Sequence, residues 1–331
     1  MSYSKQIILA ANQIIADRRA EAESISNVRH LKIISEIPNI PQYEAQLAST
    51  GADIVKAIAM GEDAEKFIKE LSEVNLRIQD LIKAELKSHG YPEDYLKTPY
   101  TCKKCDDTGY VGGYICDCYS QLLEQLNKEV SLEALRKVSP AQQCNFKNFD
   151  LKYYSDEINP TYGVSTREMM GDILEYCRHY ADDFNPKSNS ILLSGATGLG
   201  KTHLSLAIAN VVAEKGYYVV YGSAQNLFSE LEREKFSSNN SGEAEARLMD
   251  CDLLIIDDLG SEFCTQFTVA ELYNIINTRL NLLKPIIIST NLSNKEIEQK
   301  YTQRVLSRII GSYTPLYFVG NDVRQIKSKE D

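Results

Sequence analysis

The stretch Gly195-Ala-Thr-Gly-Leu-Gly-Lys-Thr202 directly follows the apolar run Ser190-Ile-Leu-Leu-Ser194. It has the spacing G-x-x-x-x-G-K-[ST], in which glycines let successive backbone N–H groups turn inward around phosphates. In this motif the lysine, here Lys201, reaches the β- and γ-phosphates of ATP, and the hydroxyl of Thr202 can bind Mg²⁺. The pattern also arises by chance on surface loops, but a buried-type strand before it and an Ala/Leu-rich helix after it favour nucleotide binding. We expect nucleotide contacts from Gly195, Ala196, Thr197, Gly198, Leu199, Gly200, Lys201, Thr202 and His203.

Length and composition indicate a two-domain chain without a membrane span. The 331 residues exceed one typical domain. The longest apolar runs, such as Leu253-Leu-Ile-Ile256, fall far short of the roughly 20 residues that a span needs. The segment Met1-Ser-Tyr-Ser-Lys5 shows no signal-peptide pattern. We therefore expect a cytoplasmic protein with no membrane partner.

The net charge of −10 argues against broad electrostatic adhesion to DNA, because such binding needs Lys and Arg to neutralise phosphates. A local basic surface remains compatible with that charge. Bases and aromatic side chains that could form such a stacking surface are Lys215, Arg233, Lys235, Arg247, Tyr217, Tyr218, Tyr221 and Phe228. Aromatic residues that alternate along a strand are also typical of a core.

Strand-like and helix-like segments alternate through the C-terminal half. Predicted strands are 190–194, 217–221, 252–257 and 285–290, and predicted helices are 120–138, 165–184, 201–215, 224–235 and 268–282. Ser237-Ser-Asn-Asn-Ser-Gly242 is predicted to be a loop. This alternation predicts an α/β fold with a mostly parallel sheet between helices.

The first hundred residues predict a small helical domain. Apolar residues recur at three- and four-residue spacing, most clearly over 71–86, with breaks at Pro38, Pro41 and Gly61. We expect about three helices. The predicted domains are a helical domain at 1–100, a cysteine-rich segment with a linker helix at 101–140, and an ATPase domain at 141–331.

Four of the eight cysteines lie within 17 residues, as Cys102-x-x-Cys105 and Cys116-x-Cys118. Two short thiol pairs joined by a glycine-bearing turn suit a tetrahedral Zn²⁺ site. With four protein ligands, such a metal would be structural. An iron–sulfur cluster, a redox pair and unliganded cysteines are the alternatives. The dispersed cysteines, interpreted as core residues, are Cys144, Cys177, Cys251 and Cys264.

Two apolar strands end in polar groups suited to phosphoryl chemistry. Leu253-Leu-Ile-Ile is followed by Asp257, predicted to meet Mg²⁺, and by Asp258, predicted to orient or deprotonate the attacking water. The Asn291 side chain is suited to hydrogen-bond the γ-phosphate or that water, and Thr290 is a weaker candidate. The alternative is that Asn291 caps the following helix.

Two arginines are candidates to compensate charge on the transferring phosphoryl group. Arg308 lies in the stretch Gln303–Ile309, and Arg324 follows Asn321-Asp-Val. Arg304 competes with Arg308 for that role. Solvated surface arginines are also common, so geometry has to separate these possibilities.

Taken as a set, these motifs resemble the AAA+ ATPases of the DnaC/DnaI helicase-loader and IstB group. The stretches that carry the resemblance are Gly195–Thr202, Leu253-Leu-Ile-Ile-Asp-Asp-Leu-Gly260, Ser289-Thr-Asn291 and Arg304-Val-Leu-Ser-Arg308. The cysteine cluster, followed by Phe146-Lys-Asn-Phe-Asp150, is similar to loader-type members from Gram-positive bacteria. The match spans about residues 145–325.

The resemblance implies an ATP-controlled loader that brings a replicative hexameric helicase of the DnaB type onto single-stranded DNA, with the zinc-bearing N-terminal region gripping the helicase. It implies that Arg308 serves ATP on a neighbouring subunit, that Arg324 acts on the subunit's own ATP, and that the protein assembles into a ring or spiral. Many related ATPases carry Glu at the position of Asp258, so we expect slow hydrolysis.

Two other functions stay open. One is an IstB-like transposition helper that acts with a transposase on double-stranded DNA. The other is a nucleotide-dependent interaction protein with negligible turnover, for which Asp258 in place of Glu is the only sequence hint. The cysteine cluster favours the loader, because transposition helpers generally have a short helical N-terminus.

Overall fold

The computed structural model of the protein describes residues 3–58, 64–138, 143–237 and 242–328. The chain divides into two compact units. One consists of Asn12–Tyr119, and the other combines the first residues through Ala11 with the chain from Ser120 onward. The cysteine-rich segment thus falls in the same compact unit as the N-terminal helices, whereas most of the predicted linker helix falls with the ATPase segment.

Three helices form most of the first unit: α1 (Lys5–Glu36), α2 (Ile40–Ile58) and α3 (Ala64–Ser88). The helix predicted over 71–86 is confirmed within α3. Helix α1 ends just before Pro38, as predicted, because proline restricts the preceding residue and lacks a backbone N–H. A small apolar core joins Ile33, Ile37, Ile40 and Leu86. The predicted break at Gly61 lies outside the described residues.

The cysteine-rich segment contains a two-stranded antiparallel hairpin, β1 (Tyr110–Val111) and β2 (Tyr114–Ile115). Gly112 and Gly113 form its turn at φ values of 58° and 85°, a conformation that glycine adopts without steric cost. Helix α4 (Asp117–Arg136) follows and confirms the predicted helix, with a start three residues earlier.

The second unit contains a five-stranded parallel sheet. Its strands are β3 (Ser190–Ser194), β4 (Val219–Ser223), β5 (Leu253–Leu259), β6 (Ile286–Thr290) and β7 (Tyr313–Tyr317). Their order is β4-β5-β6-β3-β7, and every pairing is parallel. The predicted α/β class is therefore confirmed, and β3, β5 and β6 bring their carboxyl ends together at the sheet centre.

Helices cover both faces of this sheet. They are α5 (Thr166–Asp182), α6 (Lys201–Glu214), α7 (Ala224–Lys235), α8 (Glu243–Asp250), α9 (Gln266–Asn281), α10 (Asn294–Tyr301), α11 (Gln303–Ser312) and α12 (Val323–Lys327). One apolar core includes residues of α5 and α6, and a second includes residues of α7, α8, α9 and α11. Most of the predicted 237–242 loop, residues 238–241, lies outside the described residues.

Strand β7 was not predicted. Its sequence, Tyr313-Thr-Pro-Leu-Tyr317, carries a proline, which suits an edge strand but hides the strand pattern. In the structure Pro315 is in register with Leu192 of β3, and β7 closes one side of the sheet. Because β7 leads into α12, this strand also brings Arg324 to the phosphate loop.

Candidate nucleotide-binding site

The phosphate loop connects β3 to α6 and is shaped by glycines that cannot be replaced without strain. Gly198 has φ of 77°, and a Cβ there would lie 1.9 Å from an Asp322 carboxylate oxygen. Gly200 has φ of 88°, and a Cβ there would lie 2.6 Å from the Phe149 ring. The loop is therefore packed against the Phe149 ring, in the segment before α5, and against Asp322 at the start of α12.

Lys201 is held inside this loop. Its Nζ donates to the carbonyl oxygens of Gly195 and Ala196, both at 2.7 Å, and the side chain is buried. Burial lowers the pKa of Lys201, and the charges of Asp258 and Asp257 oppose that shift. The ammonium is thus a desolvated donor whose present partners are neutral carbonyls, so an anionic phosphate oxygen would be a stronger partner.

Asp257 gathers three hydroxyl groups at the end of β5. Its Oδ2 accepts from Thr202 Oγ1 at 2.9 Å and from the Tyr221 hydroxyl at 2.6 Å, and its Oδ1 accepts from Ser289 Oγ at 2.5 Å. Mg²⁺ prefers oxygen ligands and uses one or two protein groups together with phosphate and water. The pair predicted to hold Mg²⁺, Thr202 and Asp257, is within hydrogen-bonding distance and fits that ion.

Tyr221 was a candidate for a DNA-stacking surface, with a core position as the alternative. In the structure its hydroxyl belongs to the Asp257 cluster, and burial together with the neighbouring Asp257 charge raises its pKa. Sequence reasoning also missed the contact of Ser289 with Asp257. Both contacts join neighbouring strands, so they depend on a strand order that no local sequence pattern gives.

Asp258 has a backbone conformation that is unusual for a residue with a side chain. Its φ is 55°, and it lies where the pairing between β5 and β6 shifts register. Its N–H donates to Ser289 Oγ at 2.8 Å, and its side chain is exposed. Asp258 therefore turns away from the sheet and lines the same cavity as Lys201 and Asp257.

That cavity has a volume of about 450 Å³, within the range of small-molecule sites. Besides the loop just described, its lining includes Asn148, Phe149, Asp150, Tyr153, Tyr154, Val323 and Lys327. The Tyr154 hydroxyl donates to the Leu199 carbonyl at 3.0 Å, and Lys327 Nζ lies 4.9 Å from the centre of the Tyr153 ring. Aromatic and cationic groups of this kind can accommodate a nucleobase.

His203 lines the cavity from the first turn of α6. Its Nε2 donates to the Asn145 carbonyl oxygen at 2.8 Å, and its ring packs edge-on against Phe149 with centroids 5.5 Å apart. Burial lowers the pKa of His203, and this hydrogen bond opposes the shift. His203 therefore connects α6 to the segment before α5, through Asn145 and Phe149.

The remaining polar candidates differ in whether they line this cavity. Arg324 on α12 is one of its lining residues. Asn291 is exposed just beyond β6, and Arg308 is exposed on α11; neither lines the cavity. Thr290 is buried and donates to the Leu259 carbonyl at 2.6 Å, so it braces the sheet. Arg304 is exposed one turn before Arg308.

The DNA-stacking surface proposed from the sequence does not form as a set. Tyr218 and Phe228 are buried in the core because alternate strand positions and the inner face of α7 point inward. Lys215 donates to the Ala181 carbonyl at 2.9 Å. Arg247 pairs with Glu230. The other candidates are Tyr217, whose ring packs against Phe184, and the exposed Arg233 and Lys235.

The four predicted zinc ligands are close enough to share one ion. The Sγ atoms of Cys102, Cys105, Cys116 and Cys118 all lie within 4.8 Å of one another. The Cys102–Cys116 and Cys105–Cys118 pairs are 3.8 and 3.5 Å apart. A tetrahedral ion with Zn–S bonds of about 2.3 Å requires sulfur separations of about 3.8 Å, so the thiols fit Zn²⁺.

Backbone groups around the cluster support this geometry. The N–H groups of Cys105 and Lys104 lower the pKa of Cys102 to about 7, toward the thiolate that a metal requires. The buried Asp107 accepts from the N–H groups of Thr101 and Cys102 at 2.7 and 2.8 Å. The first cysteine pair is therefore held in place by hydrogen bonds as well as by its chain spacing.

In the described part of the chain, no helix is both long and apolar enough to cross a membrane.

Comparisons with known proteins concern mainly the second unit. Residues 174–313 match a family described as IstB-like ATP binding protein. The chain is 27% identical over 172 residues to the replicative helicase loader DnaC of Escherichia coli K12, covering 51% of this chain and 63% of DnaC. It is 28% identical over 163 residues to DnaC of Buchnera aphidicola from Acyrthosiphon pisum, covering 48% and 66%.

Among solved structures, a DnaC helicase loader aligns with a TM-score of 0.45 at 22% identity, over 55% of this chain and all of that one. A DnaI structure aligns with a TM-score of 0.44 at 19% identity, over 56% and 94%. The chain spans less than two thirds of the E. coli DnaC sequence that it matches. Residues 174–313, which include the phosphate loop and four strands of the parallel sheet, are thus similar to the family described as IstB-like ATP binding protein.

Proposed function

We propose that the protein is an ATP-dependent helicase loader that delivers a replicative hexameric helicase of the DnaB type onto single-stranded DNA. The observation that carries this proposal is one cavity that combines the phosphate loop with the Asp257 cluster and Arg324. Relatives named replicative helicase loader DnaC support the same function. The names of the curated relatives favour the loader over the IstB-like transposition helper.

Within the cavity each residue has a separate role. The N–H groups of Gly195–Thr202 and the Lys201 ammonium bind the β- and γ-phosphates. Thr202 and Asp257 hold Mg²⁺, which neutralises charge on the phosphate oxygens when bound. Arg324 compensates charge on the subunit's own nucleotide. Aromatic side chains in the cavity lining, Phe149, Tyr153 and Tyr154, hold the base.

Asp258 orients the attacking water and accepts its proton. Its exposed carboxylate lies beside Lys201 and Asp257 in the cavity lining. Its side chain is one methylene shorter than Glu, so it approaches the γ-phosphate less closely and hydrolysis is slow. Asn291, exposed beyond β6, is our candidate to bond the γ-phosphate or the attacking water.

Arg308 acts on a neighbouring subunit. It is exposed on α11 and absent from the lining of its own subunit's cavity, as a residue presented to another molecule requires. ATP then lies between subunits and favours assembly into a ring or spiral. The cysteine cluster holds Zn²⁺ as a structural ion, and the N-terminal unit that contains it grips the helicase.

An affinity pull-down tests this function directly. The immobilised protein, with ATP or with ADP, is incubated with a purified replicative helicase and separately with a purified transposase. We expect ATP-sensitive retention of the helicase, lost in Lys201→Ala and kept in the control Lys187→Ala on the turn before β3. Retention of the transposase alone would establish the transposition helper instead.

A further inference from the structure

The loop that follows Asp258 is fastened to the end of α10 by a buried carboxylate. The Glu262 side chain is 1% exposed. Its Oε2 accepts the Gly260 N–H at 2.9 Å, and its Oε1 accepts the Tyr301 hydroxyl and lies 3.3 Å from the Lys300 ammonium. A buried carboxylate is costly unless charge and hydrogen bonds compensate it. Here the compensation comes from the loop and from the end of α10.

Lys300 makes a second connection between the same two segments. Its Nζ donates to the carbonyl oxygens of Gly260 and Glu262, the latter at 3.1 Å. Both backbone polar groups of Gly260 are thus bonded within this cluster. Gly260 has φ of 115°, and a Cβ there would lie 2.8 Å from a Leu292 methyl group, so this position favours glycine.

This fastening acts on the backbone of Asp258. A positive φ is unfavourable for a residue with a side chain and persists only where neighbouring contacts impose it. The Asp258 carbonyl accepts the Ser261 N–H at 3.1 Å and the Ser261 hydroxyl at 2.8 Å. The next residue is Glu262, so the turn that holds Asp258 ends on the buried carboxylate.

The other end of the connection leads to the exposed arginines. Only Thr302 separates α10 from α11. On α11, Arg304 and Arg308 lie one turn apart on the exposed face, while Val305 and Ile309 are buried. The Glu262 cluster therefore joins the segment that carries Asp258 to the segment that carries Arg308.

We propose that Glu262, held by Lys300 and Tyr301, is a positioning residue for ATP hydrolysis. It fixes the Asp258 carboxylate for water activation and couples that loop to the arginine-bearing helix. This inference rests on the proposed ATPase function. Glu262 does not line the cavity, so it acts through the backbone of Asp258 and leaves the phosphate-binding groups unchanged.

The test separates hydrolysis from binding. Tyr301→Phe removes the hydroxyl from Glu262, and Tyr313→Phe, in a buried tyrosine of β7, is the matched control. We expect Tyr301→Phe to lower the single-turnover rate constant of hydrolysis about tenfold while the Kd of a fluorescent ATP analogue changes little. The Tm should fall as well, because the buried Glu262 carboxylate loses a hydrogen bond. Glu262→Gln, which keeps the side-chain shape and can still accept the Gly260 N–H, should retain more activity than Glu262→Ala.

A double-mutant cycle decides whether Glu262 acts through Asp258. In an Asp258→Asn background, Tyr301→Phe should cause no further loss of kcat. Multiplicative losses would overturn the proposal, as would an unchanged rate of hydrolysis in Tyr301→Phe or a matching fall in ATP affinity. Failure of the ATPase function itself is distinguishable, because wild-type hydrolysis would then not respond to Lys201→Ala.

Discussion

The phosphate loop and the cysteine cluster are both short glycine-bearing segments, yet they are held in shape by different means. The loop Gly195–Thr202 lies between β3, whose first four residues are buried, and the largely buried helix α6. The hairpin Tyr110–Ile115 beside the cysteines exposes all four of its strand residues. One site is built on an apolar core, and the other has very little core beneath it.

The two sites therefore differ in what keeps them folded. A loop anchored on a sheet stays in place without its ligand, because burial of apolar surface already stabilises the fold. A segment with few buried side chains needs a cross-link, and a structural metal supplies one. We therefore expect nucleotide binding to depend on the side chains of the site, and the cysteine segment to depend on its metal for folding.

The largest expected effect follows from loss of the metal. Structural zinc contributes about 10–16 kcal/mol of binding free energy in small metal-dependent folds. We expect Cys105→Ser to lose zinc and to unfold the segment around residues 101–119, while ATP binding persists. Elemental analysis and amide hydrogen exchange measure the two effects.

Cys264→Ser is the matched control, since Cys264 is exposed and lies outside the cluster. It should retain one equivalent of zinc per chain. Wild-type protein with less than half an equivalent after gentle purification would contradict the four-thiolate site. Loss of ATP binding in Cys105→Ser would show that the two sites are not independent.

The next effect concerns chemistry alone. Asp258→Asn keeps the shape of the side chain but removes the base, and general-base groups contribute about 10²–10⁴-fold. We expect kcat for ATP hydrolysis to fall about 100-fold with ATP affinity retained, measured by phosphate release and by nucleotide titration. An equal rate in the variant would assign water activation to another group.

A smaller effect is expected at the hydroxyl cluster around Asp257. Tyr221→Phe removes one hydrogen bond to a charged carboxylate, a contact worth about 1.5–3 kcal/mol. We expect a lower free energy of unfolding for the sheet-containing unit, measured by urea denaturation. Tyr317→Phe, on the exposed end of β7, is the control and should be neutral. If Tyr221 belonged to a DNA-stacking surface, the variant would instead lose DNA affinity at unchanged stability.

The smallest effect is a pH dependence at His203. Because burial holds its pKa below the usual value of about 6.5, the unfolded chain takes up a proton on acidification before the folded chain does. Stability should therefore fall as the pH drops below about 6.5, and more weakly in His203→Gln. Identical pH profiles of the urea midpoint in both proteins would exclude this contribution.

The sequence predicted the sheet centre well, because buried strands such as Ile286–Thr290 have a clear apolar pattern and deliver their polar residues to one edge. It missed the edge strand β7, where Pro315 interrupts that pattern. It did not predict the Tyr221–Asp257 contact, because a strand pattern does not show which strands are neighbours. Such contacts depend on strand order, which only the folded chain shows.

The cysteine ligands could be predicted because their chain spacing brings them together locally. Glu262 could not be, because its partners lie 38 and 39 residues away, on α10, and an acidic residue after β5 resembles an ordinary turn residue. Local motifs are therefore visible in the sequence, whereas the contacts that position them are long-range.

We propose that ATP bound at the Lys201 site controls delivery of a helicase to DNA. The most direct measurement is the amount of replicative helicase retained on circular single-stranded DNA after incubation with this protein and ATP. We predict a several-fold increase with wild-type protein and none with Lys201→Ala. Equal retention with both proteins, or with no added loader, would contradict the claim.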